Sequence, residues 1–312
     1  MTRAALIAGL TVTVAAVCTS VVLRPAHASP RQVSGAPCGR PARPGPYVGV
    51  ITAGWPGGRQ LKSFASATGI HPNLVAYFAQ FGKKWNPKPA CRILGDGALP
   101  VIQINPRGVA LAAIADGYRD HYLEKYAQQV RVFRSPVVIS FGHEMNGDWY
   151  SWGYRHTSPA VFVAAWQHIV TVFQEQGVTN VTWMWTVNII NARGRHPIPS
   201  PAAWWPGPAY VNWVGIDGYY LKPSWTFASL FGPTINAVRK LTLDHILITE
   251  TAASPTAGQP AKIANLTAGV RDYGLLGFVW FDIDKKQDWR LTSPAAVTAF
   301  GRDARTLTSP AS

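Results

Sequence analysis

Between Gly142 and Gly153 the chain reads GHEMNGDWYSWG, which sets an imidazole, two carboxyls, an amide and three large aromatic rings directly after the apolar run Val137–Phe141. No folding pattern asks for that mixture. A carboxyl at the end of a buried strand, flanked by hydrogen-bonding groups and broad rings, suits cleavage of a glycosidic bond: the acid gives a proton and the rings stack on pyranose faces. A second glutamate, Glu250, closes another apolar run, His245–Thr249. The chain holds only four glutamates, and the other two, Glu124 and Glu175, fall in helix-like text, so Glu144 and Glu250 stand apart. Facing each other at close range, such a pair supplies both proton donor and nucleophile. For either taken alone, a helix cap or a surface ion pair is the plain alternative.

The remaining candidates also sit where strand-like runs end. His143 precedes the first glutamate, and Trp149 and Trp152 follow it. Asn188 follows Val181–Val187. Tyr219 has a hydroxyl suited to donating to a carboxylate and keeping it ionised. Trp280 either floors a sugar subsite or packs in the core. Trp183 and Trp185 share one strand face and read as packing, while Trp55 and Trp85 follow the first two strands, where outer subsites would lie. No HExxH motif surrounds His143 and no G-x-S-x-G elbow occurs, so neither a metal, nor another cofactor, nor serine-hydrolase chemistry is expected.

What must position these groups is an alternation of apolar runs and amphipathic segments. Eight strand candidates occur: Tyr47–Ala53, Leu74–Phe81, Leu99–Ile104, Val137–Phe141, Val181–Val187, Trp213–Tyr219, His245–Thr249 and Leu276–Phe281. Helical periodicity is clearest over Leu111–Arg134, Pro159–Gln176, Ser229–Leu241 and Lys262–Tyr273. Repeated strand and helix predict an α/β fold, a (β/α)8 TIM barrel in a single domain, with its reactive groups at the C-terminal ends of the strands. The competing doubly wound sheet needs a glycine-rich phosphate turn, and Gly54-Trp55-Pro56-Gly57-Gly58 does not fit it.

Composition bounds the setting. Residues 1–28 carry Arg3, an apolar run over Ala4–Leu23 and the small-x-small site Ala26-His27-Ala28, an export signal whose long apolar run leaves an uncleaved anchor as the alternative. A Pro/Gly-rich leader over 29–46 precedes the domain at 47–307, and 308–312 reads as a tail. The chain is thus expected to be secreted, with no membrane association once the signal is cleaved. Cys38 and Cys91 then remain as a pair that an oxidising compartment would bridge, free thiols being the alternative. The net charge of +14 comes from 29 basic and 15 acidic residues, but the basic ones are scattered without a recognition motif, so nucleic acid is not an expected partner. The expected partner is a carbohydrate, bound by a monomer.

These residues resemble glycoside hydrolase family 26. The segment His143-Glu144-Met145-Asn146-Gly147-Asp148-Trp149-Tyr150-Ser151-Trp152-Gly153 is similar to the family's acid/base segment. Ile114–Asp120, Trp185 with Asn188, Trp213–Tyr219, Thr249-Glu250 and Trp280 follow in the family's order. The resemblance runs from Tyr47 to the last helix. It implies a retaining (β/α)8 glycosidase with Glu144 as acid/base, Glu250 as nucleophile, His143 beside the acid, Tyr219 on the nucleophile and Trp280 under the cleaved sugar. It also implies an endo-acting enzyme whose partner is a β-linked polysaccharide, with β-1,4-mannanase foremost and mixed-linkage β-glucanase or β-1,3-xylanase as alternatives. Two positions depart from the pattern: Ser140 stands where many relatives carry an arginine bracing the carboxylates, and Val187 where a proline is usual. Loss of that cation raises a carboxylate's proton affinity and leaves a non-catalytic carbohydrate binder as a rival.

Overall fold

The computed structural model describes residues 38–39, 45–54, 56–190 and 196–308. The proposed export signal, most of the leader, Trp55 and most of the tail lie outside them. Eight parallel strands close into a barrel in sequence order: β1 (Tyr47–Thr52), β2 (Leu74–Gln80), β3 (Leu99–Asn105), β4 (Val137–Phe141), β5 (Val181–Asn188), β6 (Trp213–Asp217), β7 (His245–Thr251) and β8 (Gly277–Asp282). Each coincides with a run expected from the sequence. Strands covered on both faces bury both sets of side chains, so they read as unbroken apolar text. β4, for example, is buried throughout.

The helices fit less closely. Leu111–Arg134 is two helices, α3 (Leu111–Ala115) and α4 (Asp120–Phe133), parted by a turn in which Gly117 takes a positive φ of 81°. Helices α1 (Arg59–Thr68), α2 (Pro87–Gly95) and α8 (Pro294–Thr308) also form, whereas α5 (Pro159–Glu175), α6 (Phe227–Arg239) and α7 (Gln259–Asp272) fall where periodicity placed them. Between β5 and β6 the described residues hold only a short 3-10 turn, Pro201–Trp204, so the helical ring is incomplete there. After β8 a small hairpin, β9 (Asp284–Lys285) with β10 (Gln287–Asp288), precedes α8. Cys38 and Cys91 form a disulfide that ties the leader to α2.

Ring contacts identify the inner face of the barrel. Tyr47 and Trp213, on strands that do not pair, meet with centroids 5.6 Å apart, so their side chains point inward. Gly215 and Asp217 follow on the same face of β6. Their register partners Thr186 and Asn188 share that face, as do Ser140 on β4 and its partner Gln103 on β3. The odd-numbered tryptophans of β5 point outward, where Trp183 packs edge-on to Trp166 and Phe173 of α5. The barrel interior therefore changes from apolar to polar toward its C-terminal end. Ser140 and Thr186 share a 2.8 Å hydrogen bond, and a Cβ on Gly215 would come within 2.5 Å of the Thr186 and Thr249 hydroxyls. Only glycine lets those hydroxyls converge.

Candidate active site

Glu144 lies just beyond β4 in a left-handed backbone conformation, with φ at 55°. Such a conformation is unfavourable for a non-glycine residue and persists only where the surroundings hold it. Here the Glu144 N–H donates to the Thr186 carbonyl at 2.9 Å, and Gly142 turns the chain just before it with a φ of 56°. Asn146 then locks the loop to β5: its side chain donates to the Asn188 carbonyl and accepts from the Asn188 N–H, both at 2.8 Å. The result aims the Glu144 carboxyl at two donors. Asn188 Nδ2 donates to Oε1 at 2.5 Å, and Trp149 Nε1 donates to Oε2 at 2.7 Å. Trp149 reaches it by lying across Gly147, where a Cβ would stand 2.3 Å from the indole.

Glu250 enters from β7, where the register with β6 and with β8 shifts. Thr249 directs its hydroxyl toward Gly215 on the inner face, and the irregularity lets the next residue also direct its side chain to the barrel mouth. Gln103 Nε2 donates to Oε1 at 2.8 Å and the Tyr219 hydroxyl donates to Oε2 at 2.7 Å. Trp289, from the segment after the β9–β10 hairpin, backs Tyr219 with centroids 4.6 Å apart, and Phe281 meets its edge.

Both glutamates are buried. Burial raises the Glu144 carboxyl, the charge of Glu250 raises it further, and the Trp149 and Asn188 donors only partly offset this, leaving it at about 7. Burial also raises Glu250, against the Tyr219 and Gln103 hydrogen bonds and the charge of Lys285. With two neutral donors on each carboxyl, mutual repulsion keeps the two from ionising together, and they titrate as a pair. His143 is pushed down to about 3, first by burial and then by the positive charges of Lys285 and Arg107, so it is neutral near pH 7. It meets the Tyr150 hydroxyl at 3.2 Å.

Of the residues expected at the site, Glu144, Glu250, His143, Trp149, Asn188 and Tyr219 are brought together. Two tryptophans are not open to a ligand. Trp152 is buried, stacks on Tyr150 with centroids 4.3 Å apart and donates to the His143 carbonyl, so it braces the loop from behind. Trp280 points away from the barrel axis and packs edge-on against Phe300 of α8. That is the packing alternative; Val50, its register partner, lies on the same outer face. The next residue, Phe281, faces the site instead. Trp85 is likewise packed, against Tyr126 and Phe133. Gln103 and Trp289 were not legible as site residues, although a glutamine within the apolar run Leu99–Ile104 was a signal of a buried polar role. Among the described residues no group of His, Cys, Asp and Glu is arranged to hold a metal ion, and no helix is long and apolar enough to cross a membrane.

A closed parallel barrel with two buried, hydrogen-bonded glutamates at the ends of β4 and β7 defines the class: a (β/α)8 protein with a paired-carboxyl site at its C-terminal face. Residues 111–244 match the model of glycosyl hydrolase family 26, which bears out the resemblance read from the sequence. Endoglucanase H of Acetivibrio thermocellus is 28% identical over 270 residues, covering 81% of this chain and 30% of that protein. Mannan endo-1,4-beta-mannosidase A and B of Caldalkalibacillus mannanilyticus is 28% identical over 88 residues, 26% of this chain and 16% of that protein. The chain thus spans less than a third of the length of either relative. Among solved structures, a GH26 beta-mannanase from Bacteroides ovatus superposes with a TM-score of 0.63 at 16% identity, covering 85% of this chain and 89% of that one.

Proposed function

We propose that the protein is an exported, metal-independent, retaining endo-β-glycanase, with β-1,4-mannan as its first substrate. The observation that carries the reading is the pair of buried glutamates at the ends of β4 and β7, each held by two hydrogen-bond donors, with Glu144 raised to about 7 by burial and by the charge of Glu250. Glu144 protonates the leaving glycosidic oxygen while Glu250 attacks the anomeric carbon, forming a glycosyl-enzyme. Glu144, now a carboxylate, takes a proton from the water that releases the sugar. Trp149, 40% exposed with its N–H on Glu144, offers a stacking face at the cleft. Export is supported by the Cys38–Cys91 disulfide, which suits an oxidising compartment.

A mixed-linkage or other β-glucan is the second reading, favoured because the match to an endoglucanase runs over 81% of the chain and that to a mannanase over 26%. Incubation with mannan, mixed-linkage glucan and β-1,3-xylan, with sizing of the products, separates these. Polymer retention without new reducing ends would instead identify a binder. The nucleophile is tested by Glu250→Ala with and without azide: rescue giving a product of inverted configuration supports the role, and unchanged activity without azide removes it.

A further inference from the structure

A third carboxyl lies beneath the two glutamates. Asp217 ends β6 on the inner face and is fully buried, and no side chain donates to either of its carboxyl oxygens; the Glu250 backbone N–H is the one donor that acts on them. Among the described residues it forms no ion pair. Its register partners are Asn188 on β5 and Glu250 on β7, so it sits between the amide that holds Glu144 and the second glutamate. Asn188 has a matching deficit: one N–H of its Nδ2 donates to Glu144, while its Oδ1 is buried with no donor. Side chains from register-paired residues on adjacent strands stand about 4.8 Å apart at the backbone, within reach of one another. Two acceptors facing each other in a dry barrel would repel. One proton on Asp217 removes that repulsion, neutralises the carboxyl and gives Asn188 Oδ1 a donor.

The geometry points to Asp217 as a positioning residue: a neutral carboxylic acid whose O–H donates to Asn188 Oδ1 and so fixes the Asn188 amide on Glu144. The inference rests on the proposed glycosidase reading for its kinetic consequences but not for the protonation itself. The groups acting on or beside Asp217 are Asn188 from β5, Glu250 from β7, Glu144 and Tyr150 from the loop after β4, and Tyr219 two residues along its own chain; the cation acting on the two glutamates, Lys285, is exposed on the hairpin. An ionised Asp217 would be a further buried anion with no cation in contact, a state of high free energy. Burial, then the charges of Glu250 and Glu144, raise its carboxyl well above the usual range, against only the pull of the Glu250 backbone N–H. Ser140 fits this arrangement. With a hydroxyl pair at Ser140–Thr186 rather than a cation, the layer under the glutamates is neutral, and a proton on Asp217 keeps it so.

The test compares Asp217→Asn with Asp217→Ala in the full chain, using the polysaccharide that the wild type cleaves best. An asparagine amide can still donate to Asn188 Oδ1. Asp217→Asn is expected to keep kcat within about threefold and to leave the alkaline limb of kcat/KM in place. Asp217→Ala frees the Asn188 amide, so kcat falls by about tenfold, the worth of one buried hydrogen bond. Its alkaline limb moves to higher pH, because the lost Asn188 donor is one that lowers Glu144. An alkaline limb that moves to lower pH in Asp217→Asn would mean that a negative charge had been removed, and would overturn the proposal. So would an Asp217→Asn variant as impaired as Asp217→Ala. An infrared difference spectrum of wild type against Asp217→Asn decides the protonation without turnover: one buried carboxylic-acid C=O stretch, which Glu144→Gln retains, must be lost, and a difference spectrum without that loss refutes the idea. Should the wild type cleave no β-glycan, the enzymatic reading fails and the infrared result still stands.

Discussion

Replacing Glu144 by glutamine should make the folded protein more stable, and increasingly so as the pH rises. In the folded chain the Glu144 carboxyl titrates near 7, against 4.5 when free, because it is buried and because Glu250 repels its charge. Below about pH 4.5 the acid is protonated in both states and contributes no pH dependence. Between the two values the folded chain holds a proton that the unfolded chain has released, so stability falls with rising pH; above about 7 the loss is complete. At about 1.4 kcal/mol per pH unit that interval amounts to about 3 kcal/mol, shared by the glutamate pair rather than owned by one residue. Glutamine keeps one oxygen, for either the Trp149 or the Asn188 donor, and sets its amide nitrogen against the other, a cost that does not vary with pH; it carries no charge at any pH. The pH-dependent part of the difference between variant and wild type is therefore near zero at pH 4 and grows to about 3 kcal/mol by pH 8, or roughly 6 °C in Tm for a domain of this size. Thermal unfolding of both proteins from pH 4 to 9 measures it. A Tm difference that stays flat across that range refutes the assignment of an elevated proton affinity to the buried pair.

Trp149→Phe keeps the ring and removes the N–H on Glu144, so the alkaline limb of kcat/KM should rise by about one pH unit, the worth of a charge-assisted hydrogen bond; a fixed or lowered limb contradicts the contact. Trp289→Ala removes the ring behind Tyr219 and should lower kcat/KM about tenfold, whereas Trp280→Phe, remote from the cleft, should leave kinetics within about twofold and act on Tm alone. Steady-state kinetics of the two variants in parallel would expose the reverse assignment. Reducing the Cys38–Cys91 disulfide, whose ends are 53 positions apart, should destabilise the chain by about 2–4 kcal/mol. Identical melting curves with and without reductant would show that it constrains nothing.

The strand runs and the two glutamates were legible because they follow from local chemistry. A strand buried on both faces must be apolar throughout, and a carboxyl ending such a strand has no packing reason to be there. The helices were less so. The 3.6-residue period runs through Asp116–Arg119 without a break, and only the positive φ at Gly117 divides α3 from α4. Tertiary structure alone decided the rest, because facing and register are set by strand pairing across the ring. Alternation put Trp280 outside and Phe281 inside, which text around two adjacent rings cannot tell apart. Closure of the barrel brought Gln103 to Glu250 across 147 residues of chain, and stacked Asn188, Asp217 and Glu250 on neighbouring strands. The sequence by itself determined which residues can carry or release a proton; the closed sheet determined which of them share one, since proton affinity depends on burial and on neighbours that meet only when the ring is complete.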